Sequence, residues 1–329
     1  MKTVAIIGAS GMVGRETINV LYNRQFPVKE LKLYSSIRSS GKKISTPYGE
    51  KIFEEFSVSK INDTDILFLS VSSEFSKKYR NILSKKVKLI IDNSSAFRLD
   101  KNTPLIVPEV NSECITNNFI ANPNCTTSIS SVVLWPIYKN FGIKNLIIST
   151  YQSASGAGID GISELKVNTK SMLNNDKMTN KVFQHNLPFN VIPHIDKFED
   201  NNYTKEELKV ILEIKKIFQD TKINITCTAV RVPTVRAHAI SVTIETNKES
   251  SVNCIKNILD NSEGVTLMDD IKNNTYPMPI NSSNKYNVNV GRIRQNEIFG
   301  TKGFDLFICG DQILKGSALN AVQIAEKMI

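Results

Sequence analysis

The chain is 329 residues long, 41% hydrophobic and 22% charged, with a formal charge of +9 and a mean hydropathy of −0.17, enough for two domains with sizeable cores. No stretch approaches the roughly 20 apolar residues of a membrane span, and the lysines form no dense run with interleaved aromatics that would mark a nucleic-acid site. Five scattered cysteines and three histidines, with no CxxC pair, argue against disulfides and structural zinc. The N-terminus enters a strand without a charged leader. A cytoplasmic protein with no metal, membrane or nucleic-acid partner is expected, its positive field suited to anionic small molecules.

Apolar residues 4–7 read as a strand, followed by Gly8-Ala9-Ser10-Gly11-Met12-Val13-Gly14 and a helix over about 15–23. Strand, glycine-rich turn and helix form a dinucleotide-binding unit: the glycines permit a tight turn, and the helix N-terminus attracts a pyrophosphate. The spacing G-x-x-G-x-x-G is a variant of the commoner G-x-G-x-x-G. A second strand, 31–34, ends in Ser35-Ser36-Ile37-Arg38-Ser39-Ser40. NAD enzymes usually carry a carboxylate there. Hydroxyls and a guanidinium instead favour the 2′-phosphate of NADP; the alternative is a solvated loop. Strands at 65–71 and 87–92, with a helix at 76–83, continue the alternation. Ile91-Asp92-Asn93-Ser94-Ser95 lies at a strand end, where ligands of open parallel sheets gather, and Arg98 just beyond is a candidate anion ligand.

Residues 119–122 lead into Asn122-Pro123-Asn124-Cys125-Thr126-Thr127. The apolar spacing of Ile129, Val132, Val133, Trp135, Ile137 and Tyr138 predicts an amphipathic helix over 128–140, with Pro136 able to kink it. Pro123 resists helix and Asn124 is a good N-cap, so the helix should begin at Cys125 itself. A thiol at a helix N-terminus is favoured as the nucleophilic thiolate. A free cysteine is more often a small buried residue, so partners elsewhere decide.

Beyond this point the pattern changes to an antiparallel or mixed sheet. Strands are predicted at 145–153, 223–232 and 238–246, helices at 161–173, 205–219, 252–261 and 311–328, and loops at 174–180, 200–202 and 273–287. Gln152 precedes Ser153-Ala154-Ser155-Gly156-Ala157-Gly158, a second glycine-rich turn. Glu206 and Lys209 share a helix face and, by themselves, read as a surface ion pair. In Arg231-Val232-Pro233-Thr234-Val235-Arg236-Ala237-His238 the proline splits Arg231 and His238 between two strand segments. His238 is the chain's best general base for a cysteine partner, although a lone histidine is more often structural.

Together, residues 8–14, 36–40, 122–127, 151–158, 206–209, 231–238 and 310–321 resemble aspartate-β-semialdehyde dehydrogenase of the bacterial type, in identity, order and spacing, along essentially the whole chain. The resemblance implies an α/β protein with a Rossmann-like nucleotide-binding domain, 1–124 plus the C-terminal helix 310–329. It also implies an α+β catalytic and dimerisation domain, 125–309, with a mixed sheet like that of glyceraldehyde-3-phosphate dehydrogenase, in a homodimer or tetramer. The implied reaction is NADPH-dependent reductive dephosphorylation of L-aspartyl-4-phosphate, with release of inorganic phosphate, on the route to lysine, threonine and methionine.

By resemblance, Cys125 is the nucleophile that becomes acylated, His238 the acid/base and Gln152 the group orienting the acyl intermediate. Arg231 grips the substrate carboxylate and Glu206 its ammonium, while Arg98, Lys209 and Asn124 bind the phosphate. Gly8, Ser10, Gly11, Met12, Val13, Gly14, Ser36, Arg38, Ser39, Ser155, Gly156, Gly158 and Gln312 line the NADP site, the last two at the nicotinamide. A collapsing hemithioacetal is expected to take its proton from a His238 near its ordinary pKa. Gln312 stands where many members have asparagine, and His194 where glutamine is common in Ile-Pro-x-Ile-Asp; His194 is assigned no catalytic role. The rivals are N-acetyl-γ-glutamyl-phosphate reductase, whose blocked amine has little use for Glu206, and a silent NADP-binding paralogue, which has no need of Cys125, Gln152, Arg231 and His238 together. A nonphosphorylating aldehyde dehydrogenase would not need Arg98 and Lys209.

Overall fold

A computed structural model describes residues 1–329, which fall into two units, one of Met1–Asn124 with Gly316–Ile329 and one of Cys125–Lys315. The first begins with β1 (Lys2–Ile7), α1 (Met12–Asn23) and β2 (Val28–Ser35). The hairpin β3 (Lys43–Thr46) and β4 (Gly49–Ile52) and the short β5 (Glu54–Glu55) follow. The alternation resumes in β6 (Ile66–Leu69), α2 (Ser73–Ser84), β7 (Leu89–Asp92), α3 (Pro108–Asn111) and β8 (Phe119–Ala121).

The sheet order is β5-β2-β1-β6-β7-β8, every pair parallel. β6 and β7 are buried at every position, as the continuous apolar runs Ile-Leu-Phe-Leu and Leu-Ile-Ile require of parallel strands. Ile7, Tyr34, Leu67, Leu69, Leu83, Ile90 and Phe119 share one core. The strand order reverses at β1, between β2 and β6, so the turn after β1 opens at the topological switch point. Gly8 makes that turn at φ +85°, with the Ser70 carbonyl where a Cβ would go, so only glycine fits.

The second unit starts with α4 (Cys125–Phe141), which begins at the cysteine as its flanking residues predict and carries Pro136 without ending there. β9 (Ile143–Gln152), α5 (Gly158–Leu173), α6 (Lys205–Ile217), β10 (Asn224–Arg231), β11 (His238–Thr246) and α7 (Val252–Asp260) follow. The rest comprises β12 (Val265–Leu267), α8 (Pro279–Ser282), β13 (Val288–Gln295) and β14 (Gly303–Gly310). The sheet order is β10-β9-β11-β14-β13-β12. β9–β10 and β12–β13 are parallel and the other pairs antiparallel, which makes the sheet mixed.

The sequence reading missed β13 and β14. β13 carries a register shift between Gly291 and Arg294, with Arg292 at φ +56°, so its alternation breaks in mid-strand. The helix predicted at 311–328 is also corrected. Asp311 instead accepts the N–H groups of Ile313 and Leu314 in a turn, a π-helical turn spans Leu314–Ala318, and only α9 (Leu319–Glu326) is α-helical. The segment that joins the first unit starts at Gly316, within that π-helical turn. There Arg24 grips Glu326 with two 2.6 Å hydrogen bonds and Asn320 donates to the Ile106 carbonyl.

Candidate active site

In the first unit, the glycine-rich turn is held by the N–H groups of Gly8 and Ala9, which donate to the Tyr34 carbonyl at 2.9 and 3.0 Å. Gly11, the N-cap of α1, has no side chain to cap the helix, so the first-turn N–H groups of Met12, Val13 and Gly14 suit an anion. At the end of β2, Ser39 N–H donates to the Ser36 carbonyl at 3.0 Å, and Arg38 is exposed on that turn. Uncapped amides, two serines and a guanidinium make a donor set that fits the phosphates of a dinucleotide.

A polar knot lies at the end of β7. Asp92 is fully buried and accepts from Ser76 Oγ at 2.5 Å, Ser94 N at 2.8 Å and Ser94 Oγ at 2.9 Å. Burial raises its pKa, against the pull of these donors. Arg98 donates Nε to the Asn122 carbonyl and Nη2 to the Asn93 carbonyl, both at 2.8 Å. Asn122 Nδ2 donates to Asn93 Oδ1 at 2.7 Å. The guanidinium is thus fixed two residues before the buried Asn124.

In the second unit, three strand ends converge. Gln152 ends β9, its register partner Arg231 ends the parallel β10, and His238 begins the antiparallel β11 on the other side of β9. All three are buried. Thr150 Oγ1 donates to Gln152 Oε1 at 3.0 Å, while Gln152 Nε2 donates to Glu206 Oε1 at 3.2 Å and lies 3.5 Å from His238 Nε2. Arg231 Nη1 donates to the Ser153 carbonyl at 2.6 Å, and its guanidinium lies over the Phe183 ring at 5.7 Å. Burial lowers the Arg231 pKa, opposed by the charges of Glu206 and Cys125.

Glu206 is only 6% exposed, so the surface ion pair read from local spacing is corrected. α6 packs beside β10, and the neighbouring Glu207 forms a capping box with Thr204 and accepts the Ala229 N–H, turning this face inward. Lys209 Nζ lies 3.4 Å from Glu206 Oε2 and 2.7 Å from Asp196 Oδ2. Gly156 sits against the cluster; a Cβ there would lie 2.7 Å from Arg231 Nη1 and 3.3 Å from His238 Cε1. Gly158 opens α5 at φ +80° with nothing near its missing Cβ, which leaves room for a ligand.

Ser153 N–H donates to His238 Nδ1 at 3.1 Å. Burial first and then the Arg231 charge, against a hydrogen bond with the Ala237 backbone, bring the His238 pKa down to about 3. The expectation of a histidine titrating near neutrality is therefore wrong for this site, because the ring is 0% exposed beside a cation. The sequence reading also gave no role to Asp196, Ser153 or Phe183. Asp196 was visible in Ile195-Asp196, and Ser153 adjoins Gln152; nothing in the sequence singled out Phe183.

A family model described as "Semialdehyde dehydrogenase, NAD binding domain" matches residues 3–118, and one described as "Semialdehyde dehydrogenase, dimerisation domain" matches 134–315. The aspartate-semialdehyde dehydrogenase of Prochlorococcus marinus is 40% identical over 99% of this chain and 96% of its own length. That of Aquifex aeolicus is 42% identical over 99% and 97%. The crystal structure of aspartate semialdehyde dehydrogenase II complexed with ASA from Vibrio cholerae aligns at a TM-score of 0.95 with 39% identity, covering 100% of this chain and 98% of that one. Aspartate semialdehyde dehydrogenase with NADP from Candida albicans shares the fold at a TM-score of 0.76 and 20% identity, covering 100% and 98%. No helix of the chain is long and apolar enough to cross a membrane. The nucleotide-binding and mixed-sheet units, with near-complete coverage of relatives at about 40% identity, mean that the chain belongs to the aspartate-semialdehyde dehydrogenase family.

Proposed function

We propose that this enzyme catalyses NADPH-dependent reductive dephosphorylation of L-aspartyl-4-phosphate to aspartate 4-semialdehyde through a thioacyl Cys125, as a cytoplasmic homodimer serving lysine, threonine and methionine synthesis. The observation that carries the reading is the convergence of Gln152, Arg231 and His238 at three strand ends with Glu206 of α6 beside them, in the unit whose first residue is Cys125. The thiol starts a 17-residue helix and interacts electrostatically with Arg231, and both favour a thiolate.

Cys125 Sγ attacks the acyl carbon; the C–S bond forms, the C–O bond breaks, and phosphate leaves with the electron pair. Arg98, Lys209 and Asn124 are assigned the phosphate, whose charge they compensate. Arg231 takes the α-carboxylate, a task suited to a planar guanidinium, and Glu206 the α-ammonium. A reduced nicotinamide, when bound, would supply the hydride for the thioester carbon. The nitrogens of Gln152 and His238, 3.5 Å apart, can then share the developing oxyanion as two donors. When the carbonyl re-forms the C–S bond breaks and the thiolate returns. That collapse consumes no proton, so a neutral His238 suffices as a hydrogen-bond donor. The choice of NADP is supported by Ser36, Arg38 and Ser39 at the end of β2.

The test is an absorbance assay with purified protein, NADP, phosphate and aspartate semialdehyde. NADPH should form only when phosphate is present, and Cys125→Ala should abolish the signal. Turnover of N-acetylglutamate semialdehyde in place of aspartate semialdehyde would transfer the assignment to N-acetyl-γ-glutamyl-phosphate reductase.

A further inference from the structure

His238 begins β11, and the residue before it, Ala237, is buried at φ +68°. A non-glycine residue holds that left-handed conformation only where its surroundings impose it. The Gln312 amide is in place to do so. Its Oε1 accepts the Ala237 N–H at 2.8 Å, which fixes the oxygen end of the amide, and its Nε2 therefore donates to Ser155 Oγ.

The direction of donation then propagates. Ser155 Oγ lies 3.0 Å from Ser153 Oγ, which lies 3.2 Å from His238 Nδ1. With Ser155 already accepting from Gln312, its hydroxyl proton is available to Ser153, and the Ser153 proton to Nδ1. The Ser153 backbone N–H reaches the same nitrogen at 3.1 Å. The backbone N–H can only donate, so Nδ1 is an acceptor whose lone pair the Ser153 hydroxyl shares, and the proton of the neutral ring sits on Nε2. All four side chains of this chain of bonds are buried. Asp311, beside Gln312, anchors the turn by accepting the Ile313 and Leu314 N–H groups and pairing with Arg236 at 2.6 Å.

We propose that Gln312 is a positioning residue for His238: its amide holds Ala237 in the left-handed turn and, through Ser155 and Ser153, keeps the imidazole in the Nε2–H tautomer that lies beside Gln152. The proposal rests on the reading of His238 as part of the reacting site. It assigns Gln312 a task inside the protein where the resemblance implied a nicotinamide contact, since the carbonyl oxygen and one amide N–H are already engaged.

The test uses the full-length protein labelled with ¹⁵N-histidine. The chain has only three histidines, and the His238 signals are identified by their loss in His238→Asn. Long-range ¹H–¹⁵N correlations should show a single Nε2–H tautomer for His238 in the parent and a mixture in Gln312→Met, which keeps the volume but not the hydrogen bonds. In the same variant kcat should fall roughly ten- to hundredfold, the scale of a misplaced catalytic group, while the NADP KM changes by less than about twofold. Adding Ala237→Gly should restore part of kcat, because glycine takes the turn unaided. An unchanged His238 pattern in Gln312→Met overturns the proposal, and so does a raised NADP KM with the tautomer intact. If Gln312→Met does not fold, Ser155→Ala cuts the same chain of bonds, and an unchanged tautomer there has the same force. Parental turnover by His238→Asn would instead remove His238 from the reaction, leaving the tautomer measurement to judge the positioning claim alone.

Discussion

Gly156→Ala tests whether the strand-end cluster is set to the precision that substrate binding needs. The added Cβ would lie 2.7 Å from Arg231 Nη1 and 3.4 Å from His238 Nε2. An ordinary contact at about 3.4 Å or more requires the guanidinium to retreat by about 0.7 Å. Arg231 now donates to the Ser153 carbonyl at 2.6 Å, and a shift of that size weakens or breaks the bond. A hydrogen bond to a charged group contributes about 1.5–3 kcal/mol, which is roughly a ten- to hundredfold change in kcat/KM at about 1.4 kcal/mol per decade. The atom displaced is the end of a flexible side chain, and Gly156 does not adopt a left-handed φ, so the melting temperature should move by only a few degrees. Steady-state kinetics with aspartate semialdehyde, NADP and phosphate, beside a thermal melt, give both numbers. A kcat/KM within about twofold of the parent would refute the reasoning, because it would mean that Arg231 can retreat without consequence.

Glu206→Gln should raise the aspartate semialdehyde KM by roughly one to two orders of magnitude, the scale of a lost charge-assisted contact; an unchanged KM removes Glu206 from the ammonium. Arg38→Ala should weaken NADPH far more than NADH in a binding titration, and equal losses would show that the loop does not read the 2′-phosphate. The His238 pKa, lowered from 6.5 to about 3, means that the unfolded chain binds a proton there which the folded chain refuses. Its stability contribution is therefore present above pH 6.5 and lost as pH falls from 6.5 toward 3. Between pH 6 and 4 the parent should lose up to about 1.4 kcal/mol per pH unit more than His238→Asn in urea unfolding; equal slopes would contradict a buried neutral ring.

The parts of this protein legible in its sequence are those fixed by near neighbours. The turn after β1 follows from Gly8, Gly11 and Gly14 within one short segment, and the start of α4 at Cys125 from Pro123 and Asn124 just before it. What escaped depends on distance along the chain. β13 hides its period behind the shift between Gly291 and Arg294, and the end of α9's lead-in depends on Asp311 turning the chain. Glu206 looked like a surface residue because its burial comes from β10, some twenty residues on. The protonation of His238 is set by Ser153, 85 positions away, and by Arg231 beside it, neither of which spacing reveals.

The cluster also carries an argument about substrate choice. Lys209 pairs with the carboxylates of Glu206 and Asp196, and Arg231 feels the charges of Glu206 and Cys125, so each of these charges has an opposite neighbour before any substrate arrives. Removing a lone charge from water costs several kcal/mol, and a buried ion is tolerated only when paired. In the proposed complex a free amino acid end brings one ammonium and one carboxylate, which leaves the net charge unchanged while Arg231 and Glu206 each gain a partner. An N-acylated substrate brings the carboxylate alone. It would compensate Arg231 and leave Glu206, 6% exposed, facing an amide that cannot return its charge. On the proposed reading, discrimination against the blocked amine comes from charge compensation at Glu206, and no steric barrier to the acetyl group is needed.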